Sequence, residues 1–530
     1  MRKKLPYTLP FFLLLIFSGC QLNDNGTESS IHLEQLSVET LKERKNVRTL
    51  ATQNDITNEL ETLKEAKEYS FAKPLAVWNP YQTIANSLYL AFELEEGQQL
   101  TYTIQADGYA DFSKTAKQTD GGFLLLGFIP STENILTLQI KDATDSVVKE
   151  QIFSVVAPDY EYTTLQLKKA SGTSDTQLSN GLFALIGAGN GHTFLFDNSG
   201  VIRGDILTNS YRTDRIIQID DQLLFANTNN QIVRMNALGK FEALYKLSGY
   251  ELHHDFCLAN ENSLLILASK KNRDTVEDIV LTLDLTTGEC KELIDMKDLL
   301  FDYVSDLETE DQDEDNTLDW LHANSIQVID ENQLILSSRE TSSIIKINNV
   351  YTEPTLEYII GEEDVWTNTT YKDHLLTQVG NFPNSGGQHS VNYLADDKLK
   401  DGQYYLYFYN NNLWWYASNP DYTGSIPTGT GEKESGEKSK YYKYLIDEEK
   451  GTYELVDSFD LPYSSIVSNV QSIADHLVIN SGYNVHLAEE YTQDGELITS
   501  FDYSELLDET EKNLGYRVFK YSFDDFWFTN

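Results

Sequence analysis

The chain is 530 residues long, 40% hydrophobic and 12% aromatic, with a formal net charge of −43 at pH 7. That apolar content supplies a full core and rules out a disordered protein, and the length allows two or more domains. Acidic side chains outnumber basic ones 83 to 40, which repels phosphate backbones and argues against nucleic acid as a partner, while 24 Phe and 32 Tyr against 3 Met favour pleated strands over helical bundles.

The chain begins "MRKKLPYTLPFFLLLIFSGCQLNDN". A basic start, an apolar run too short to span a bilayer comfortably and small residues before Cys20 predict an export signal over residues 1–19. The end of that run, Phe17-Ser18-Gly19-Cys20, resembles the lipobox of bacterial lipoproteins, although Phe17 stands where an aliphatic residue is usual. The resemblance implies lipidation of Cys20, a membrane partner through an N-terminal lipid anchor, and a location on the outer face of the bacterial cytoplasmic membrane. Residues 20–72 read as a polar tether and a short amphipathic helix, with Ile56, Leu60 and Leu63 on one face of "DITNELETLKEAK".

Alternating strand patterns then run from residue 73 to 158, including "SLYLAFELEE" and "ILTLQIKDATDSVVKEQIFSVVAP". They predict a small N-terminal β-sandwich with no titratable cluster. From residue 159 to 530 a looser pattern repeats, a strand running into a turn rich in Asp, Asn and Gly and then a second strand. Six such hairpins, from "HTFLFDNSGVI" to "LAEEYTQDGELI", predict an all-β chain that ends in a six-bladed β-propeller. Cys257 and Cys290 read as two independent thiols, since no C-x-x-C pattern exists.

Few of the nine histidines fall in suggestive places. His253 and His254 precede Asp255 in "YELHHDFCLAN", His322 lies in "DWLHANSI" with Arg339 in the following hairpin, and His389 follows a Gly pair in "NSGGQHSVNYL". Each stands near the start of the innermost strand of a predicted blade, and those starts converge on a propeller axis. Singly, each is as readable as a hydrogen-bonded core histidine; together they predict one pocket. No H-x-x-x-H pair or nearby carboxylate at ligand spacing supports zinc, so the expected metal is none. Imidazoles with an arginine suit the handling of an anion, a neutral ring as nucleophile and charged groups on the oxygens of the transferred group.

"DWLHANSIQ", the downstream "SSRETSSIIKI", "ELHHDF" and "GGQHSV" resemble signature segments of the bacterial arylsulfotransferase family, the type that passes sulfuryl groups between phenols without a PAPS nucleotide. "PLAVWNPYQTIANSLYLAFEL" resembles the start of that family's N-terminal sandwich. The resemblance implies His389 as the nucleophile that forms a sulfohistidine, His322 and Arg339 as holders of the sulfuryl oxygens, and Asn324 as support from the same strand. It implies His254, with His253 the less favoured of the two, as the residue completing the cluster, and Ser468 in "YSSIVSNVQS" as a further pocket hydroxyl. It also implies ping-pong kinetics, a phenolic sulfate donor and a phenolic acceptor, and no cofactor. A homodimer is compatible with it, but the lipoprotein-like start separates this chain from soluble dimeric members.

Other readings compete. Asp311, Asp313 and Asp315 have calcium-loop spacing, but Asn316 and His322 stand where glycine and glutamate belong. No C-x-P-x-R segment supports a formylglycine sulfatase, and no phosphate-cradling glycine loop supports a nucleotide-dependent enzyme. A non-catalytic, surface-anchored binding propeller is the alternative function. Trp366, Trp414, Trp415 and Tyr393 are candidates to line a slot for phenolic rings, or else core aromatics.

Overall fold

A computed structural model of the chain describes residues 29–36, 47–162, 164–172, 181–305, 307, 317–413, 418, 438–507 and 514–529. Cys20, the export signal, the Asp311 to Asp315 loop and Trp414 with Trp415 lie outside the described residues.

The helix spans Leu50–Ala66, starting earlier than its apolar face alone predicts, because the Thr49 side chain caps it by accepting from the Thr52 backbone N–H. Ile56 and Leu60 are buried and Leu63 packs at the edge of the same core. Two sheets follow. Strands Leu75–Trp78, Ser87–Ala91 and Gly122–Leu126 form one, and Gln99–Gln105, Phe112–Ala116, Glu133–Lys141 and Val147–Val156 form the other, with Ser29–Ser30 added in parallel at its edge. Strict alternation decides which way the second sheet faces: Leu100, Tyr102 and Ile104, then Leu136, Leu138 and Ile140, all point inward. Tyr102 joins the two sheets, since its hydroxyl donates to the Leu126 carbonyl at 3.2 Å and accepts from the Leu126 N–H at 3.3 Å.

The rest of the described chain forms six successive sheets, each built on four antiparallel strands, with a fifth strand added at the edge of three of them. Five of the six hairpins singled out in the sequence are the third and fourth strands of their sheets, and the sixth, His192–Phe196 to Ile202–Leu207, follows Leu182–Ile186 in the first sheet. The first sheet borrows its remaining strand from the far end of the chain. Arg517–Tyr521 pairs antiparallel with Leu182–Ile186, and Lys168–Gly172 pairs in turn with Leu497–Asp502 in the sixth sheet. The two ends of the region are thereby sewn into each other's sheets.

The first strands lie side by side. Tyr250–Asn260 touches Ala323–Asp330, which touches His389–Leu394, which touches Asn469–Ile473, which touches Arg517–Tyr521. Asp255, fully buried, ties this row together: it pairs with Arg215 at 2.9 Å and Arg517 at 2.8 Å and accepts from the Ile326 N–H at 3.2 Å. Burial works against its charge, but the two guanidinium groups hold its carboxyl below the usual range.

Cys257 and Cys290 are both free thiols. Trp366 is buried beside Tyr303 and donates to the Ser343 hydroxyl at 3.1 Å, so it packs between elements rather than lining a slot. Tyr393 lies against the Tyr404 ring, 5.1 Å between centroids, and has the same packing role.

Candidate active site

His389 opens its strand, and the segment before it is fastened to the Ala323–Ser338 hairpin. The Gln388 carbonyl accepts from Asn324 Nδ2 at 2.8 Å and from the Ser337 hydroxyl at 3.1 Å, while its amide nitrogen donates to the Ser338 and Ser343 carbonyls. Gly387 has a positive φ of 58°, and a Cβ there would sit 3.8 Å from Arg339 Cγ. Backbone freedom at this glycine therefore puts the His389 loop directly against the arginine.

His389 is 2% exposed. Its Nδ1 lies 2.8 Å from Asn411 Oδ1 and 2.9 Å from the Gly387 carbonyl. The amide of Asn411 can face only one way, because its nitrogen already donates to the Ser464 and Val467 carbonyls at 2.8 and 3.0 Å. Two acceptors on Nδ1 put the proton there, which leaves the Nε2 lone pair bare. Burial pushes the imidazole down to about 3, with the His322 and Arg339 charges adding to the effect and Asn411 opposing it. At neutral pH the ring is an uncharged base with one free nitrogen.

Around it the charges are arranged differently. His322 has a φ of 48° and hydrogen-bonds through Nδ1 with Asp319, and that nitrogen also lies 2.9 Å from Glu277 Oε2. Burial and the Arg339 charge lower its affinity for a proton, but Asp319 and Glu277 overcome both and raise it to about 9. It is therefore an imidazolium at neutral pH. Arg339 Nη2 lies 3.6 Å from the same Asp319 carboxylate and donates to Glu340. Glu340 is held in its turn by Ser418, whose N–H donates to Oε2 at 3.1 Å.

His254 lies beside His322, 4.6 Å between ring centroids with the rings tilted by 53°. Its Nε2 lies 2.9 Å from Glu277 Oε2 and its Nδ1 lies 2.8 Å from the Tyr516 hydroxyl. Burial holds this imidazole well below the ordinary range, so it stays neutral. His253 is buried, 5.1 Å from the His254 ring, with its Nδ1 3.9 Å from Glu277 Oε2. Glu277 is the hub of these three rings. Burial opposes its charge, yet the imidazoles keep its carboxyl well below the usual range. The ligand atoms of His253, His254 and Glu277 lie within 4.8 Å of one another, as do those of Glu277, Asp319 and His322.

The structure thus brings His254, His322, Arg339 and His253 to one acidic hub and sets the His389 loop against Arg339. Asn324 is buried and acts through Gln388 rather than facing a solvent-filled space. Ser468 does not join the cluster: its hydroxyl donates to Ser464 Oγ at 2.9 Å and accepts from the Gly482 N–H at 3.1 Å, behind the Asn411 shelf. Its φ of 84° shows a turn residue. Sequence reasoning missed Asn411, Glu277, Asp319 and Tyr516. Asp319 was legible in "DWLH", three residues before His322; the others come from remote segments and carry no local pattern.

Beside Tyr516 a cavity of about 380 Å³ is lined by Gly187, Gly189, Asn190, Tyr211, Arg212 and others, with the Arg212 guanidinium 4.1 Å above the Tyr516 ring.

Comparison with protein families matches residues 167–517 to the arylsulfotransferase (ASST) model and residues 75–158 to the arylsulfotransferase Ig-like domain. The chain belongs to the arylsulfotransferase family. Membership implies a transferase that acts on aryl sulfates, and the His389, His322 and Arg339 constellation lies inside the matched region. No curated protein matches the chain significantly. Solved structures similar to this arylsulfotransferase include a functionally unknown protein from Desulfotomaculum acetoxidans, at 10% identity over 70% of this chain and 93% of that one, TM-score 0.33. Others are the WD40 β-propeller domain of Doa1, at 9% identity over 78% and 100%, TM-score 0.32, and BamB from Moraxella catarrhalis, at 10% over 71% and 86%, TM-score 0.28. Likeness at that level carries no functional argument.

Proposed function

We propose that this arylsulfotransferase moves a sulfuryl group from a phenolic sulfate ester to a second phenol through a sulfohistidine on His389, without a nucleotide donor. One observation carries the reading: His389 is a neutral imidazole fixed through Nδ1 with its Nε2 left bare, and the charges of the His322 imidazolium and the Arg339 guanidinium act on it. In the first half-reaction the His389 Nε2 lone pair forms a bond to sulfur as the sulfur–phenol oxygen bond breaks, and the phenolate leaves. In the second, the acceptor oxygen attacks sulfur, the N–S bond breaks and the neutral imidazole returns.

Each charge has a task in this scheme. His322 and Arg339 balance the sulfuryl oxygens, which stay anionic throughout, and they are already oriented by Asp319, Glu277 and Glu340. His322, the imidazolium of the cluster, is the proton donor to the leaving phenolate and takes a proton back from the acceptor, while neutral His254 helps hold Glu277 in place. The cavity lined by Tyr211 and Arg212, linked to His254 through Tyr516, is the candidate space for an aromatic ring.

The six sheets are read as the blades of a propeller whose ring is closed by Arg517–Tyr521, a reading supported by the row of touching first strands. The N-terminal segment supports an exported protein, lipidated at Cys20 and held at the outer face of the cytoplasmic membrane.

The test uses chain lacking the signal, incubated with 4-nitrophenyl sulfate with and without phenol. Phenol-dependent nitrophenolate release, sulfate recovered on phenol and loss of both in His389→Ala are expected. Release without transfer marks a hydrolase, and no release with a range of phenols returns the site to a binding role.

A further inference from the structure

Where the sandwich meets the first of the six sheets there is a cavity of about 440 Å³, lined by Trp78, Asn79, Gln82, Asn86, Tyr160 and His192 among others. None of these residues belongs to the sulfuryl site. We infer that this cavity is a binding site for a neutral saccharide.

One wall is a turn held under strain. Asn79, Gln82 and Asn86 have φ values of 34°, 52° and 61°. Asn visits this left-handed region readily, but Gln does so at a cost, and such conformations persist where the surrounding structure enforces them and cluster at ligand clamps. Here the enforcement comes from Ile84–Ala85, within the turn, which pairs with Asp205 and Ile206 of the first sheet. The result is three side-chain amides on one cavity. Asn79 Oδ1 accepts from the Thr83 and Ile84 N–H groups at 3.1 and 3.2 Å, so its nitrogen remains a donor. Asn86 Nδ2 is buried without a hydrogen-bond partner, an unmet donor that costs free energy until an acceptor reaches it.

The other residues complete a surface suited to a sugar. Asp205 is fully buried and fixes the His192 ring, its Oδ2 2.6 Å from Nδ1, while the Tyr160 hydroxyl donates to the same oxygen and the Thr193 N–H to Oδ1 at 2.9 Å. Trp78 is half-buried and set edge-on against Phe128, 4.9 Å between centroids, which fixes its plane. Sugars offer neighbouring hydroxyls that amides and imidazoles bind, and C–H faces that pack on aromatic rings. Charge selects against anions. Arg48 also lines the cavity, but its guanidinium donates to the Gln82 and Thr208 carbonyls at 3.1 and 2.6 Å, and the lining carboxylates of Asp159 and Glu161 repel a sulfate or phosphate.

The inference does not rest on sulfuryl transfer. Saturation-transfer NMR on the full-length protein tests it, with glucose, galactose, N-acetylglucosamine and cellobiose each titrated as probes. Saturable binding of at least one, with a Kd of about 1 mM, is expected. Gln82→Gly and Asn86→Gly delete an amide and keep a backbone that glycine adopts freely, so each should weaken that binding about five- to tenfold. Val147→Ala, at an exposed position of the second sandwich sheet, should bind like the parent. Melting curves check that the variants fold, and if one glycine variant does not, the other decides. No saturable signal with any of the four sugars, equal affinity in the folded glycine variants, or displacement of the sugar by 4-nitrophenyl sulfate overturns the site.

Discussion

Asn411 is the residue on which the chemistry of His389 turns. It holds the proton on Nδ1 and is itself fixed by two carbonyls, so Asn411→Ala frees the imidazole to take the other tautomer and to rotate. The expected result is a fall in kcat of about 10²-fold with KM changed far less, since the tautomer matters to attack and not to binding; steady-state rates on 4-nitrophenyl sulfate measure it. The same buried imidazole leaves a mark on stability. Its affinity for a proton falls to about 3 on folding, against an ordinary value of about 6.5 in the unfolded chain. Between those limits the unfolded chain binds the extra proton, so the His389 contribution is whole above about pH 6.5 and is lost as pH falls toward 3, at about 1.4 kcal/mol per pH unit. His389→Gln should flatten the dependence of unfolding free energy on pH by about one proton near pH 5, measured by denaturant titration at several pH values. An unchanged slope contradicts the neutral, buried ring.

The hairpin of residues 323–338 is the element that carries the site. It supplies Asn324 and Ser337 to the Gln388 carbonyl and delivers Arg339 from its end, while His322 stands at its beginning. Asn324→Ala removes one of the two donors to a buried carbonyl, a change worth about 1–2 kcal/mol. It should lower kcat as well as stability, because the His389 loop loses its anchor; Asn324→Asp, which lacks the amide donor, should not rescue either, as melting curves and rates on the same preparations will show. Much of this element was legible in the sequence. "DWLHANS" and the downstream arginine identified the segment, and the alternating patterns marked the outer hairpins because turn residues and period-two burial are local signals. The helix start at Thr49 was hidden, since a capping hydroxyl has no apolar periodicity. Glu277, Asn411 and Tyr516 were illegible for a deeper reason: their meaning lies in contacts with rings 23, 22 and 262 residues away along the chain, which no local spacing encodes. Ser468 erred the other way, a serine in a promising segment whose positive φ turns it into the loop's own hydrogen bonds.

At the scale of the molecule, one carboxylate binds distant strands into a single frame. Asp255 is shared by Arg215, Arg517 and the Ile326 N–H, so it links the strand of His253 and His254 to the hairpin of Arg339 and to the last strand, next to Tyr516. Asp255→Ala leaves the buried Arg517 guanidinium and the half-buried Arg215 one without their partner, and a loss of about 3–5 kcal/mol is expected from a denaturant titration; a loss under 1 kcal/mol contradicts the framing role. That frame exists, on this account, to present one bare nitrogen to one sulfur atom. The most direct measurement is therefore a rapid quench of the protein mixed with 4-nitrophenyl sulfate in the absence of acceptor, followed by peptide mass spectrometry under conditions that preserve N–S bonds. A burst of nitrophenolate equal to the enzyme is expected, with the sulfuryl group on the His389 peptide and discharged on adding phenol. A burst-free progress curve with no labelled peptide, or a label on another residue, contradicts it.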